Sequence, residues 1–250
     1  MAGAIFGSFI ATLALRWPQG RSMVHGRSAC DGCGRTLAVI DLVPLVSWLV
    51  LRGRCRTCGA EIAGAHIVIE LVAATIGGVA LGFIPNLGGA ALALFGWQLL
   101  LLGWLDARHW WLPHALSAIL AVSGLMFGGV AMAALGLDAT LIDRVIGMVG
   151  GFAALALIAL VYRALRGREG LGGGDAPLLG AIGAWVGWAV LPLVLLLAAL
   201  AGIAVALMHF ARKPVGDAGE PIGQMRLPLG TLMAMATPFA VIAIRVLALD

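Results

Sequence analysis

Long apolar stretches dominate the chain, and short polar or proline-containing breaks separate them. The stretches cover residues 2–15, 66–84, 88–105, 112–134, 144–162, 176–190, 192–210 and 229–248. A transmembrane helix needs about 20 mainly apolar residues, and most of the stretches approach that length. The pattern predicts an all-α polytopic membrane protein with about eight transmembrane helices.

Two stretches allow more than one interpretation. Residues 176–210 form either two helices divided at Pro192 or one long helix with a kink. Residues 2–15 are short for a span, but they lack the basic start and the small-residue cleavage site of a signal peptide. We interpret them as a first span that ends at Arg16, Trp17 and Pro18, because these residue types suit a membrane interface and a helix end.

Residues 17–65 differ from the rest because they are polar, rich in glycine and arginine, and hold all four cysteines. Within them, the apolar residues 39–51 are too few to span a bilayer, so we expect this segment along the interface or packed against the helices. The sequence therefore predicts three regions: a first transmembrane segment (1–16), an extramembrane lobe (17–65) and a transmembrane domain (66–250).

Composition and charge support a membrane protein of defined orientation. Hydrophobic residues make up 62% of the chain and charged residues 11%, where a soluble domain has about 25% charged. No basic patch is interleaved with aromatic residues, which argues against a nucleic-acid partner. With residues 17–65 in the cytoplasm, fourteen lysines and arginines lie on that side, and only Arg144 and Arg245 lie opposite. This asymmetry obeys the positive-inside rule.

The cysteines form two Cys-x-x-Cys pairs, and 21 residues separate the pairs. The pairs are Cys30 with Cys33 and Cys55 with Cys58. Two such turns can close a tetrahedral shell of four thiolates around a structural zinc ion. The alternatives are two disulfides or free thiols, and a reducing cytoplasm disfavours the disulfides. We expect the nearby Arg27, Arg35, Arg54 and Arg56 to offset the negative charge of the metal site.

Two aspartates lie at ends of apolar stretches that the predicted orientation brings to the cytoplasmic face. Asp106 follows residues 88–105, and Asp175 follows three glycines, Gly172 to Gly174. Either aspartate could simply cap a helix N-terminus. The glycines favour a functional interpretation, because they allow backbone or substrate to approach the carboxylate closely. Two adjacent carboxylates that share one proton can activate water and polarise a peptide carbonyl.

Glu70 is a third acid within an apolar stretch, four residues from its start. It could reach the interface or pair with an arginine, and we favour a functional or structural partner role.

These motifs together resemble the bacterial type IV prepilin peptidases, a GxGD-type family of intramembrane aspartic proteases. The resemblance runs along nearly the whole chain through Gly7-Ser8-Phe9, Cys30-x-x-Cys33, Ser47-Trp48, Cys55-x-x-Cys58-Gly59, Glu70, Asp106, Gly172-x-Gly174-Asp175 and Gly180-x-x-Gly183. It implies cleavage of the basic leader of prepilins and type II secretion pseudopilins at the cytoplasmic face of the bacterial inner membrane.

The resemblance also implies roles for individual residues. Asp106 and Asp175 correspond to the catalytic pair, and the four cysteines correspond to the cytoplasmic metal site. Many members also methylate the new N-terminus with S-adenosylmethionine, and for this chain that activity rests on the resemblance alone. The sequence departs from the family pattern at Ala11, at His114 and at Pro177, where the family commonly has asparagine, aspartate and lysine.

Two further classes of function are compatible with the residues. A non-catalytic scaffold, or an inactive relative, would use the cysteine lobe to recruit a partner, and the departures at His114 and Pro177 motivate that alternative. A proton-coupled transporter fits less well, because such proteins hold their acids near mid-membrane.

Overall fold

The structure is a computed structural model that describes residues 2–20, 28–30, 32–43, 45–167, 170–211 and 227–248. The chain divides into two compact units, Met1–Leu101 and Leu102–Asp250. The helices are α1 (Ala2–Arg16), α2 (Val46–Val50), α3 (Gly64–Phe83), α4 (Leu87–His109), α5 (His114–Ala134), α6 (Leu141–Arg166), α7 (Asp175–Val186), α8 (Leu191–Ala211) and α9 (Leu229–Leu247). Short 3₁₀ helices occupy Trp17–Gln19 and Val39–Leu42.

The expected all-α multi-pass architecture is confirmed. Among the described residues, six helices have the length and hydropathy of a membrane span, namely α3, α4, α5, α6, α8 and α9. The two remaining predicted spans correspond to shorter apolar helices, α1 and α7.

In the first unit, α1 packs closely against α3 through glycines. A Cβ on Gly7 would lie 2.9 Å from Cα of Glu70, and a Cβ on Gly3 would lie 3.0 Å from the Ala73 carbonyl oxygen. Trp97 of α4 completes the contact: its ring stacks on Phe6 with centroids 4.4 Å apart, and its Nε1 donates to the Ala73 carbonyl at 2.9 Å. Small residues at these positions allow the backbones to approach.

The apolar residues 39–51 fold into a 3₁₀ helix and the short helix α2. Apolar side chains are exposed on both, among them Ile40, Leu49 and Val50. The expectation that this segment lies along the membrane interface stays a prediction. Pro44 of this segment, and Arg27 near the first cysteine pair, lie outside the described residues.

In the second unit, α7 is the central helix. Because it is surrounded by other helices, it does not need the length of a membrane span, and twelve residues are enough. Every residue from Leu178 to Val186 is buried, against α5 on one side and α6 on the other. Glycines on the neighbours allow the close packing: a Cβ on Gly124 or Gly147 would lie 2.8 Å from α7 backbone or from the chain that follows it. Trp185 Nε1 also donates to the Leu120 carbonyl at 2.8 Å.

Three helix boundaries differ from the predicted ones for local reasons. Residues 176–210 form two helices, and the break comes before Pro192, because Gly187 adopts a left-handed φ of 79°. Helix α6 begins at Leu141, three residues earlier than expected, because Thr140 and Asp143 form a capping box. Helix α4 continues to His109, so Asp106 lies in its last turn rather than after its end.

Candidate functional site

Asp175 is the first residue of α7, yet its carboxylate does not cap that helix. It is 6% exposed and accepts a hydrogen bond at Oδ2 from the backbone N–H of Gly172 at 3.0 Å. The backbone of Gly230, in the first turn of α9, also interacts electrostatically with this carboxylate. Asp175 is therefore held by the preceding loop and by another helix, which the simple capping alternative does not explain.

The three glycines before Asp175 have different steric roles. A Cβ on Gly172 would lie 3.0 Å from Asp175 Oδ2, and a Cβ on Gly174 would overlap Cβ of Leu112. A Cβ on Gly173 would meet nothing within 4 Å. The first and third glycines thus allow the loop to close around the carboxylate, whereas the second does not have that role.

Asp175 begins its helix, whereas Asp106 lies in the C-terminal turn of α4. A carboxylate there is disfavoured by the dipole of its own helix. It is 6% exposed, and its Oδ2 accepts a hydrogen bond from the Thr231 backbone N–H at 2.7 Å. Thr231 Oγ1 lies 3.1 Å from the same oxygen and 2.9 Å from the Gly103 carbonyl oxygen, so its one proton is shared between these two acceptors. Thr231 lies in the first turn of α9, where free N–H groups and the positive dipole end favour a carboxylate.

Gly230 lies next to both carboxylates and explains how they come together. Its backbone interacts electrostatically with Asp175, and a Cβ on Gly230 would lie 3.0 Å from Asp106 Oδ2. The same Cβ would lie 2.7 Å from Cδ1 of Leu112, the side chain that also contacts Gly174. Asp106 is close enough to Asp175 to interact with it electrostatically. The two predicted acids therefore share one site in the second unit, and α9 interacts with both.

The α9 residues Gly230 and Thr231 were missed by the sequence analysis. The available signal is weak: Pro228 is followed by Leu, Gly and Thr at the start of an apolar stretch. Those residues open a helix on the side of the membrane to which the charge pattern assigns both aspartates.

Glu70 lies in the first unit, where it is 7% exposed. Its Oε2 accepts a hydrogen bond at 2.9 Å from the backbone N–H of Leu45, a residue with a φ of 61°. A positive φ is unusual for leucine, and the hydrogen bond helps to hold the chain in it. Glu70 thus ties α3 to the turn that precedes α2, where the sequence suggested an arginine partner as one possibility.

The four cysteines form a cluster in the first unit. The Sγ atoms of Cys30, Cys33, Cys55 and Cys58 all lie within 4.8 Å of one another, and none is in a disulfide. Cys30 Sγ and Cys58 Sγ are 3.7 Å apart, close to the spacing of about 3.8 Å that a tetrahedral Zn–S₄ centre requires. Hydrogen bonds from the backbone N–H groups of Cys58 and Thr57 lower the pKa of the Cys55 thiol to about 6. The donor set and its spacing fit a zinc ion.

The two cysteine loops have the same backbone pattern. In both, the first cysteine N–H donates to the carbonyl two residues after the second cysteine (Arg35 or Ala60), at 2.9 and 2.8 Å. In both, the glycine after the second cysteine donates to the first cysteine's carbonyl and adopts a φ near 70°. This repeat was not evident in the sequence beyond the Cys-x-x-Cys-Gly motif.

Two of the arginines that were expected to offset the cysteine charge also bind an aspartate. Asp41 of the second 3₁₀ helix has a side chain only 4% exposed, and it contacts Arg35 at 2.7 Å and Arg56 at 3.4 Å. Each arginine belongs to a different cysteine loop. Asp41 therefore links both loops to the 3₁₀ helix.

A cavity of about 250 Å³ adjoins the cysteine cluster within the first unit. Its wall carries basic residues (Arg16, Arg35, Arg56), acidic residues (Asp41, Glu61, Glu70) and Trp48. The Nε1 of Trp48 is buried and has no hydrogen-bond partner among the described residues. A polar ligand with charges of both signs is chemically compatible with this wall.

Fold and site together define a multi-pass membrane protein with a paired-aspartate centre and a four-cysteine lobe. Two family models match the chain, the Bacterial Peptidase A24 N-terminal domain over residues 1–83 and the Type IV leader peptidase family over residues 93–207. The chain belongs to the bacterial A24 family of type IV leader peptidases.

Curated relatives named prepilin leader peptidase/N-methyltransferase support the assignment. The chain is 38% identical over 196 residues to one from Aeromonas hydrophila, which covers 76% of this chain and 66% of the relative. It is 39% identical over 215 residues to one from Burkholderia pseudomallei, covering 83% and 64%. For one from Pseudomonas aeruginosa the values are 35% over 216 residues, 86% and 71%.

The matched segment spans about two thirds of the length of the first of these relatives. No solved structure gave a significant match to the chain.

Proposed function

We propose that the protein is an intramembrane aspartic endopeptidase that removes the leader from type IV prepilins and type II secretion pseudopilins. The observation that carries the proposal is that Asp106 and Asp175 lie close enough to interact electrostatically, with Gly230 packed against Asp106. Both side chains are buried, and because burying two acids inside a membrane protein is costly, such a pair marks a functional site.

The chemistry follows from a pair of carboxylates that share one proton. The ionised member takes a proton from a water molecule, which attacks the scissile carbonyl, while the protonated member donates to the carbonyl oxygen. Because the two carboxylates share one proton, these roles belong to the pair and not to either residue alone. The N–H groups of Gly172 and Thr231 orient the two carboxylates, and the surrounding helices limit access of bulk water.

We propose that the site and the cysteine lobe face the cytoplasm. The positive-inside asymmetry supports this orientation, and so does the substrate, because a basic leader remains on the cytoplasmic side. By family resemblance, cleavage occurs just after a glycine.

We further propose that the cysteine cluster holds one structural zinc ion. Four thiolates fill a tetrahedral shell and leave no open position for catalysis. The ion would join the two cysteine loops, so the metal would stabilise the lobe as it does other small metal-binding folds.

A second activity, N-methylation of the new N-terminus, is favoured by the names of the relatives and by the cavity in the first unit. The mixed charges of the wall fit S-adenosylmethionine, which has an amino group, a carboxylate and a sulfonium. When bound, that cofactor supplies an activated methyl group. Glu61 and Glu70 would balance its cationic groups, and Arg16 its carboxylate.

The test is incubation of the purified protein with a prepilin and S-adenosylmethionine, followed by mass measurement of the product. Loss of the leader mass is the result expected for the peptidase, and a further gain of one methyl group is expected for the transferase. Retained cleavage in both Asp106→Asn and Asp175→Asn would refute the peptidase mechanism. If cysteine changes abolish biological function while both aspartate variants keep it, the protein is a scaffold instead.

A further inference from the structure

We infer that Thr231 is a positioning residue for the cleavage reaction: its hydroxyl and its backbone N–H orient the carboxylate of Asp106. The inference rests on the proposed function, but it concerns a residue that the catalytic pair does not include.

The contacts of Thr231 join the two helices that form this part of the site. Its Oγ1 lies 2.9 Å from the Gly103 carbonyl and 3.1 Å from Asp106 Oδ2. Gly103 and Asp106 are one turn apart on α4, so a single hydroxyl contacts both the catalytic side chain and the backbone that carries it. Close packing of α4 on α9 makes this contact possible, because a Cβ on Gly103 would lie 3.3 Å from Cβ of Ala234.

The hydrogen bonds select one oxygen of the carboxylate. Both contacts that Thr231 makes with the Asp106 side chain go to Oδ2. Thr231 therefore fixes the rotation of the carboxyl group and leaves Oδ1 available for the reacting water. A misplacement of the order of 1 Å at a catalytic group costs about 100-fold in rate.

Two successive residues of α9 also relate the positions of the two acids to each other. The Gly230 backbone interacts with Asp175 and the Thr231 N–H donates to Asp106, so the relative position of the carboxylates depends on one peptide unit. The Thr231 hydroxyl adds the restraint that keeps this peptide unit against α4.

The test uses three substitutions in the full-length protein in detergent. Thr231→Val keeps the shape and removes the hydroxyl, Thr231→Ser restores the hydroxyl, and Thr237→Val is the matched control. Thr237 is a fully buried threonine of the same helix whose Oγ1 also donates to a backbone carbonyl, that of Met233 at 2.7 Å. Prepilin cleavage is measured as kcat and KM, together with the thermal midpoint of each variant.

We expect Thr231→Val to lower kcat by about 10-fold or more, because a hydrogen bond to a charged group typically contributes at least that factor. KM should change by less than about two-fold, since the hydroxyl does not bind substrate. Thr231→Ser should recover most of kcat, and Thr237→Val should keep it. If Thr231→Val does not fold, Thr231→Ala replaces it, with the same expectations.

Unchanged kcat in Thr231→Val, or equal losses in Thr231→Ser and Thr231→Val at equal thermal midpoints, would overturn the inference. A loss of the same size in Thr237→Val would also overturn it, because it would show a general effect on α9. Failure of the proposed function is distinguishable, because either the unmodified protein would then leave the prepilin uncleaved or Asp106→Asn would still cleave it.

Discussion

Thr231 donates its backbone N–H to Asp106 Oδ2 at 2.7 Å, so a carboxylate at the C-terminal end of one helix is held by the N-terminal end of another. The helix dipole of α4 disfavours the charge, and that of α9 favours it. The relationship explains how an acid that is only 6% exposed is tolerated in the last turn of an apolar helix.

The glycine loop before Asp175 gives a prediction with an internal control. Gly172→Ala and Gly174→Ala should each lower prepilin cleavage by about 10-fold or more, because the new Cβ contacts Asp175 Oδ2 or overlaps Leu112. Gly173→Ala should stay within about two-fold of the unmodified protein, because its Cβ meets nothing within 4 Å. Cleavage rates of the three variants, measured at matched protein amounts, check this. Equal effects at all three positions would contradict the steric assignment.

Substitution of Gly230 should lower prepilin cleavage by a similar factor, for a different reason. Gly230→Ala places a Cβ 3.0 Å from Asp106 Oδ2 and 2.7 Å from Cδ1 of Leu112, so the aspartate must move. We expect cleavage to fall by at least about 10-fold while stability changes by no more than about 1–3 kcal/mol. The matched control is Gly150→Ala on α6, where a Cβ meets nothing within 4 Å. Full activity in Gly230→Ala would show that α9 does not approach Asp106 as described.

The cysteine lobe should contain zinc. Metal analysis of the purified protein should find about one equivalent, and Cys30→Ser or Cys55→Ser should lose it, because three thiolates bind the ion much more weakly than four. Absence of metal from freshly purified protein, or retention of a full equivalent in both variants, would reject the zinc assignment without affecting the aspartate pair.

The contacts of Asp41 should slow the loss of zinc from the lobe. Asp41→Asn weakens the contacts to Arg35 and Arg56, which belong to the two cysteine loops. Because both arginines are partly exposed, we expect a modest loss of stability, about 1 kcal/mol, and faster loss of zinc to a chelator. Asp138→Asn, at an exposed aspartate between α5 and α6, is the control. Equal rates of zinc loss in both variants would show that the bridge does not support the site.

The sequence predicted those parts of the site that depend on local pattern. The ends of apolar stretches located Asp106 and Asp175, the glycines next to Asp175 indicated a close approach, and the Cys-x-x-Cys spacing indicated the metal cluster. In each case the relevant residues are near neighbours along the chain, so their spacing carries the information.

The remaining parts depend on contacts between distant segments. Thr231 and Asp106 are separated by 125 residues, and no periodicity links them. The sequence assigned Arg35 and Arg56 to the cysteines because those residues are adjacent, and it did not show that folding also brings both to Asp41. The sequence predicted the short α7 as a longer span. Burial against α5 and α6 selects apolar residues, and contact with lipid selects the same residues, so the sequence pattern does not distinguish the two environments.

The cleavage rate of Asp106→Asn, Asp175→Asn and the double variant tests the central claim most directly. If the two carboxylates act as one unit, each single substitution should lower kcat by about 10⁴-fold or more, and the double variant should be no slower than the slower single variant. Thermal midpoints should show that all three proteins remain folded. A single variant that keeps a rate within about 10-fold of the unmodified protein, or losses that multiply in the double variant, would contradict the account.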